Sequence, residues 1–241
     1  YRAVSDQARI GGVLYLLAQV LFLSQSDLAR AQVIAEQSLA LLVEVGDTWT
    51  IGYCLNLTGQ MRLKQGEPAL ACELVERSVA LLKEVGDRGA LTDALIILAR
   101  IVTCQGNSAA AGQLYEESLA ILREVGLTSF GPIVAAYLEG WGALVASRGE
   151  PGEAVRLWGT AEALREAIGA PMPPVDRNNY EQTVALARAQ LEEQTFRALW
   201  TQGRSTTPEQ VFNLQGSVTT PASFPPGQSS LPSAKAPTPP Y

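Results

Sequence analysis

The sequence predicts an all-α fold made of stacked antiparallel helix pairs. One observation is a pattern that returns at a fixed spacing: SLALLVEVGD at 38–47, SVALLKEVGD at 78–87 and SLAILREVGL at 118–127, a period of 40 residues. Self-similarity in this range marks a repeat architecture, in which each unit buries its apolar face only against its neighbours. The other observation is that small residues return with the pattern. One position is Ala31, Ala71, Ala111 and Ala154, and seven residues later it is Ser38, Ser78, Ser118 and Ala161. Small side chains at matched positions let helix backbones approach closely, and bulky ones between them interlock.

Each repeated segment reads as the end of a helix. Apolar residues fall three and four apart (Leu39, Leu42 and Val43; Val79, Leu82 and Val85), and Gly46, Gly86 or Gly126 follows. Glycine accepts the left-handed conformation that closes a helix. Upstream lies a second helix, joined by a tight turn: QSD at 25–27, QGE at 65–67, QGN at 105–107 and RGE at 148–150. The fourth turn comes 43 residues after the third, and the extra three residues are assigned to the loop 127–132.

In chain order, the first helix of unit one covers about 11–24, within the most apolar stretch, GVLYLLAQVLFLS. That stretch is too short to span a bilayer and reads as a buried core helix packed against a preceding domain. Its partner starts at Asp27, a side chain suited to an N-cap, and ends at Gly46. Unit two spans about 49–86 and unit three 89–126. Unit four spans 131–169 and closes with AEALREAIGA at 161–170. Pro68 and Pro151 open second helices, where the missing N–H costs nothing, and Asn107 is the matching N-cap in unit three. Bulky plugs sit at Tyr115 and Trp158 in one register, and at Leu98 and Trp141 in another.

The pattern then changes. APMPP at 170–174 is a turn. A single apolar stripe of Tyr180, Val184, Ala187 and Leu191 predicts a helix from Arg177. Phe196, Leu199 and Trp200 predict another, ending at Gly203. Thr207-Pro208-Glu209-Gln210 reads as an N-cap, a proline and a capping-box glutamine before Val211 and Phe212. These three helices are expected to cover the last apolar face of the stack. From 216 to 241 the chain is rich in Pro, Ser, Thr and Ala, with Lys235 its only charge. That composition reads as a disordered linker. The expected organisation is therefore four repeats at 1–170, capping helices at 171–215 and a linker at 216–241. The first residue is Tyr1 rather than Met, so the chain is read as a segment of a longer protein.

The register of small and bulky residues resembles the tetratricopeptide repeat (TPR). Unit four matches in order through Trp141, Gly142, Gly149, Ala154, Trp158 and Ala161. Unit two follows through Gly59, Gly66, Ala71, Val75 and Ser78. Unit one departs most, with Gln19, Ser26 and Ala35. The period of 40 exceeds the usual length of about 34 residues and is similar to the longer-helix variant of bacterial regulators of the MalT type. The resemblance implies a right-handed superhelix. Residues 149–212 further resemble the C-terminal part of the sensor region in bacterial LuxR-type regulators that carry an NB-ARC/STAND ATPase. The match runs through Trp158, Gly159, Arg165, Gly169, Pro171, Pro174, Arg177, Tyr180, Phe196, Trp200 and Gly203. It implies a non-enzymatic, cytoplasmic sensor and protein-interaction segment, with an ATPase and a helix-turn-helix domain outside these residues and in contact with them. A stand-alone TPR adaptor that scaffolds protein partners is the alternative.

Composition narrows the chemistry. The formal charge is −6, with no block of lysine and arginine, so direct nucleic-acid binding by this segment is not expected. No membrane association is expected either. There is no histidine and the cysteine count is three, which argues against His-dependent triads and zinc sites and for free thiols in a reducing compartment. No phosphate-loop motif occurs. Catalytic, cofactor and metal residues are expected to be none. Gly140 and Gly142 lie mid-helix and read as packing positions. Glu116-Glu117 and Glu192-Glu193 read as solvated surface. Cys104 lacks the neighbours that would activate a thiol.

In TPR-like stacks the first helix of each pair lines the concave face. That projection implies a groove bearing Tyr53, Asn56, Gln60, Lys64, Asp93, Arg100 and Glu139, open to a protein, a peptide or a small-molecule effector. Asn56 and Gln60 are four residues apart and share one helix face. Arg100 is the residue suited to grip a carboxylate or phosphate in bidentate fashion. Asp93, two turns earlier on the same face, is the group expected to compete for it. On this reading Arg100→Ala leaves the melting temperature nearly unchanged while abolishing the response to a signal.

Overall fold

The computed structural model describes residues 2–126 and 131–218, with side chains from 6 to 126 and from 131 to 213. Among the described residues all regular structure is helical: α1 (Arg2–Leu23), α2 (Leu28–Val45), α3 (Thr48–Lys64), α4 (Pro68–Val85), α5 (Arg88–Cys104), α6 (Ser108–Val125), α7 (Gly131–Ser147), α8 (Pro151–Ile168), α9 (Pro174–Arg188), α10 (Glu193–Arg204) and α11 (Pro208–Val218). The fold is the all-α TPR-like stack. The helix pairs are α1–α2, α3–α4, α5–α6 and α7–α8, each packed on the next.

Helix boundaries follow from local chemistry. Asp27, Asp47, Asp87 and Asn107 cap α2, α3, α5 and α6 by accepting the backbone N–H groups of Arg30, Thr50, Ala90 and Ala110. These are free donors that a helix start otherwise leaves unsatisfied. Gly46, Gly86 and Gly169 close α2, α4 and α8 with φ of 72°, 79° and 63°, the left-handed geometry that costs a side chain strain. In the tight turns the same role falls to Gly66, Gly106 and Gly149. Unit one differs: α1 ends one residue early in the register, and the left-handed residue is Gln25 at φ 52° rather than Ser26. The capping box before α11 forms in both directions. The Thr207 amide donates to Gln210 Oε1 at 2.9 Å and the Gln210 amide to Thr207 Oγ1 at 3.3 Å.

Packing repeats with the sequence. Ala31, Ala71, Ala111 and Ala154 are fully buried, as are Tyr115 and Trp158. A side chain at Gly142 would place its Cβ 2.5 Å from Trp158 Nε1, so the indole lies directly on the backbone of α7. The matched serines bond as well as pack. Ser38 Oγ donates to the Gly11 carbonyl at 2.7 Å and Ser78 Oγ to the Gly52 carbonyl at 2.6 Å. Each ties the second helix of a pair to the backbone of the first, and the hydroxyl is buried with its bonding satisfied.

The apolar positions differ in burial. Val43 and Val85 are 60% and 41% exposed, while Leu42 and Leu82 of the same apolar series are fully buried. Each sits a turn-fraction away from the seam, on the solvent side of its helix. The apolar stretch of α1 is not buried all round: Tyr15, Ala18 and Phe22 face the stack, whereas Val13, Leu16 and Val20 are more than half exposed.

The helices after 170 diverge. α10 packs along α8 through two facing glycines. A Cβ at Gly159 would lie 2.5 Å from the Trp200 carbonyl, and Thr160 Oγ1 donates to the Gly203 carbonyl at 2.9 Å. Phe212 of α11 meets Tyr137 edge-on, with ring centroids 5.3 Å apart. α9 turns back across the first helices: it contacts α1, α7 and α8, and its first turn bonds Lys64 of α3 and Arg100 of α5. One short helix reaches all four first helices, as it does when they line the inner, concave layer of the stack. Part of the loop assigned to the three-residue insertion, 127–130, and most of the expected linker, 219–241, lie outside the described residues; 216–218 continue α11.

Candidate functional site

The concave layer carries two neighbouring sites, one open and one filled by the chain itself. The filled one is built by the prolines after 170. Pro173 is extended (φ −56°, ψ 138°) and Pro174 opens α9. The rings fix φ, and Pro174 disfavours the helical conformation at Pro173, which narrows the ways in which the segment can enter the groove. Val175 is buried within the apolar cluster of the first helix pairs, among Tyr15, Phe22 and Met61. Its carbonyl accepts Lys64 Nζ at 2.7 Å. Asp176 follows, with Oδ1 2.7 Å from the Arg100 guanidinium and 4.0 Å from Lys64 Nζ. Burial alone would raise the Asp176 carboxyl, but Arg100, with Lys64 beyond it, holds it below the usual carboxylate range. Burial lowers Lys64 despite that neighbour.

The open site is a cavity of about 370 Å³ between α1, α3 and α5. Tyr15, Gln19, Tyr53, Asn56, Gln60, Asp87 and Asp93 supply its polar lining. The two tyrosine rings meet edge to face with centroids 5.8 Å apart. Asp87 is fully engaged: Oδ1 caps α5 at the Ala90 amide, and Oδ2 accepts Trp49 Nε1 and the Tyr53 hydroxyl, both at 2.8 Å. Burial raises the Asp87 carboxyl, but these donors together bring it below its ordinary value. Asp93 Oδ2 accepts Asn56 Nδ2 at 2.8 Å, and among the described residues Asp93 has no ion-pair partner. Burial pushes its carboxyl up, against the opposing pull of Asn56 and Arg100. Asn56 is 7% exposed and its Oδ1 is buried without a hydrogen-bond partner.

The seven residues projected onto the groove thus separate. Tyr53, Asn56, Gln60 and Asp93 line the open cavity together. Lys64 and Arg100 are held by the start of α9. Glu139 pairs with Arg165 through both carboxylate oxygens, beside a second cavity of about 400 Å³ that also borders Tyr180 and Pro171. Arg100 pairs with Asp176 and not with Asp93. Tyr15, Asp87 and Asp176 lie outside the set that the sequence projects. Asp87 carries a signal, since it ends the repeated VGD and doubles as a cap. Tyr15 and Asp176 lie 161 residues apart and carry none. Among the described residues no group of three or more metal-ligating acids and cysteines gathers, and no helix is long and apolar enough to cross a membrane. The three cysteines are unbridged.

Residues 54–124 match the tetratricopeptide repeat family model. The match runs from α3 to the end of α6, the two most regular units of the stack. Among solved structures, the TPR-like stack is similar to the nearly identical TPR-like repeats of a putative kinesin light chain from Podosopora anserina. A crystal structure of a single-substitution form of those repeats gives a TM-score of 0.56 at 19% identity, covering 83% of this chain and 94% of that one. A second crystal structure of the repeats gives 0.55 at 18%, covering 88% and 99%. At that identity the likeness speaks for the fold alone. No curated protein matches the chain.

Proposed function

We propose that the chain is a non-enzymatic sensing and protein-interaction segment whose concave face takes an effector or partner protein. The observation that carries this reading is the pairing of Asp176 with Arg100 and Lys64 on the inner layer. The chain's own carboxylate occupies the cations that a partner's carboxylate would use. An internal occupant of this kind gives two states, α9 seated and α9 released, and a ligand that binds them unequally shifts their balance. The TPR match over 54–124 supports an interaction role. The resemblance of 149–212 to LuxR-type sensor regions supports a setting in which the released state signals to flanking ATPase and helix-turn-helix domains.

The adaptor reading uses the same surface, and the TPR match supports it equally, because it needs no flanking domain. The complete reading frame separates the two: the regulator requires a phosphate loop upstream and a helix-turn-helix downstream, and the adaptor requires neither. In the regulator, Asp176→Ala on the full-length protein is expected to shift output toward the signalled state without added effector. Output unchanged in a folded Asp176→Ala protein would sink the proposed control by α9.

A further inference from the structure

The open cavity has an unusual balance of groups. It is lined by two carboxylates, two glutamine amides, an asparagine whose oxygen is orphaned and two aromatic rings, and neither lysine nor arginine lines it. The cations nearest in the fold, Arg100 and Lys64, point their donors at α9 instead. A buried acceptor without a donor is costly, and one such oxygen, on Asn56, beside a cavity large enough for a small ligand identifies what the ligand must bring. An anion is excluded by repulsion from Asp87 and Asp93. A purely apolar group would leave the Asn56 oxygen unsatisfied and the Asp93 carboxylate without a counter-ion.

We infer that this cavity is a binding site for a protonated amine carried on a short apolar stem, with Asp93 as its counter-ion, Asn56 Oδ1 as an acceptor and the Tyr15 and Tyr53 rings against the stem. An ammonium offers three N–H donors. One meets the free Asp93 oxygen, one meets Asn56 Oδ1, and the third is left for Gln60. Aromatic faces attract cations and cover methylenes equally well. The ammonium comes either from a free small-molecule amine or from a lysine side chain of a bound peptide. The inference rests on the concave layer being the binding face.

The test is a titration of the ¹⁵N-labelled chain followed by NMR, reading the Asn56 side-chain amide and the Trp49 indole N–H. Pentylammonium is expected to bind saturably and to move both signals, with 1-pentanol at least about tenfold weaker, since a charge-assisted hydrogen bond is replaced by a neutral one. Asp93→Asn should weaken pentylammonium by a similar factor and leave 1-pentanol unaffected. N-acetyl-lysine amide against N-acetyl-norleucine amide repeats the comparison for the peptide source. If only pentylammonium discriminates, the ligand is a small amine; if the lysine amide also does, a peptide side chain fits. Equal affinity of pentylammonium and pentanol at these residues would overturn the charge selection while leaving the concave face as a binding face. No change at Asn56 or Trp49 with any probe would overturn the site, and the Asp176 experiment would still report separately on control by α9. The comparison between probes needs no substitution, so a misfolded Asp93 variant does not protect the inference.

Discussion

Asp176 Oδ1 lies 2.7 Å from the Arg100 guanidinium, joining the first turn of α9 to the inner face of α5 across 76 residues of chain. Asp93, seven residues before Arg100 on the same helix, bonds Asn56 instead. The consequence reverses the sequence-based expectation for Arg100→Ala. With the guanidinium gone, Asp176 stays partly buried beside only a distant Lys64, so the variant should lose stability. A loss of about 1.5–3 kcal/mol is expected for a charged hydrogen-bond partner. Hydrogen exchange across 174–188 should accelerate in step, and an unchanged melting temperature with unchanged protection would refute the pairing.

Acid should release the same helix. The Asp176 carboxyl is held below its usual range in the folded state. Its contribution is therefore complete above the unfolded-state value, about 3.9 for aspartate, and is lost as pH falls through the lower folded value. Exchange protection in α9 should drop in that acid window before α4 and α5 unfold. A single cooperative loss of all helices, with no earlier change in α9, would count against it.

Asp93 predicts the opposite sign. Burial raises its carboxyl, and the groups that face it are Asn56 on α3, Arg100 on its own helix and Asp176 on α9, with the Tyr15 and Tyr53 hydroxyls nearby. A carboxyl raised in the folded state destabilises it as pH climbs from the unfolded value through the folded one. Asp93→Asn keeps an oxygen for Asn56 and removes the charge. The variant should melt at the same or a higher temperature than the parent at neutral pH, as expected where a group is kept for binding at the expense of stability. A lower melting temperature by calorimetry would show that Asp93 is structural.

The core should respond according to register. Trp158→Ala removes a fully buried indole that lies on Gly142 and donates to the Glu139 carbonyl at 3.1 Å, a loss of about 3–5 kcal/mol. Ala71→Leu forces extra methylenes against α3 at a fully buried position, for about 1–3 kcal/mol. Chemical denaturation of the two variants checks both; parent-like midpoints would mean that the second helices are packed in another register.

Periodicity and small-residue spacing alone determined the helix pairs, their caps and the buried alanines. Those features are local or repeat every 40 residues, so each one is announced by its neighbours or its copies. Asp27, Asn107 and Thr207 cap the helices that their side chains foretell. Tyr53, Asn56, Gln60 and Asp93 were legible as one site because repeat stacking brings equivalent faces together. Only the tertiary structure decided which groups in that site are free. The direction in which α9 leaves the stack depends on the prolines after 170, on Val175 finding the cluster around Tyr15 and Phe22, and on Asp176 reaching two cations of α3 and α5. Those contacts lie outside the repeat, so no periodic signal carries them. They settle by competition: the α9 carboxylate engages Arg100 and Lys64, and Asp93 and Asn56 are left lining the open cavity, the Asn56 oxygen without a hydrogen-bond partner.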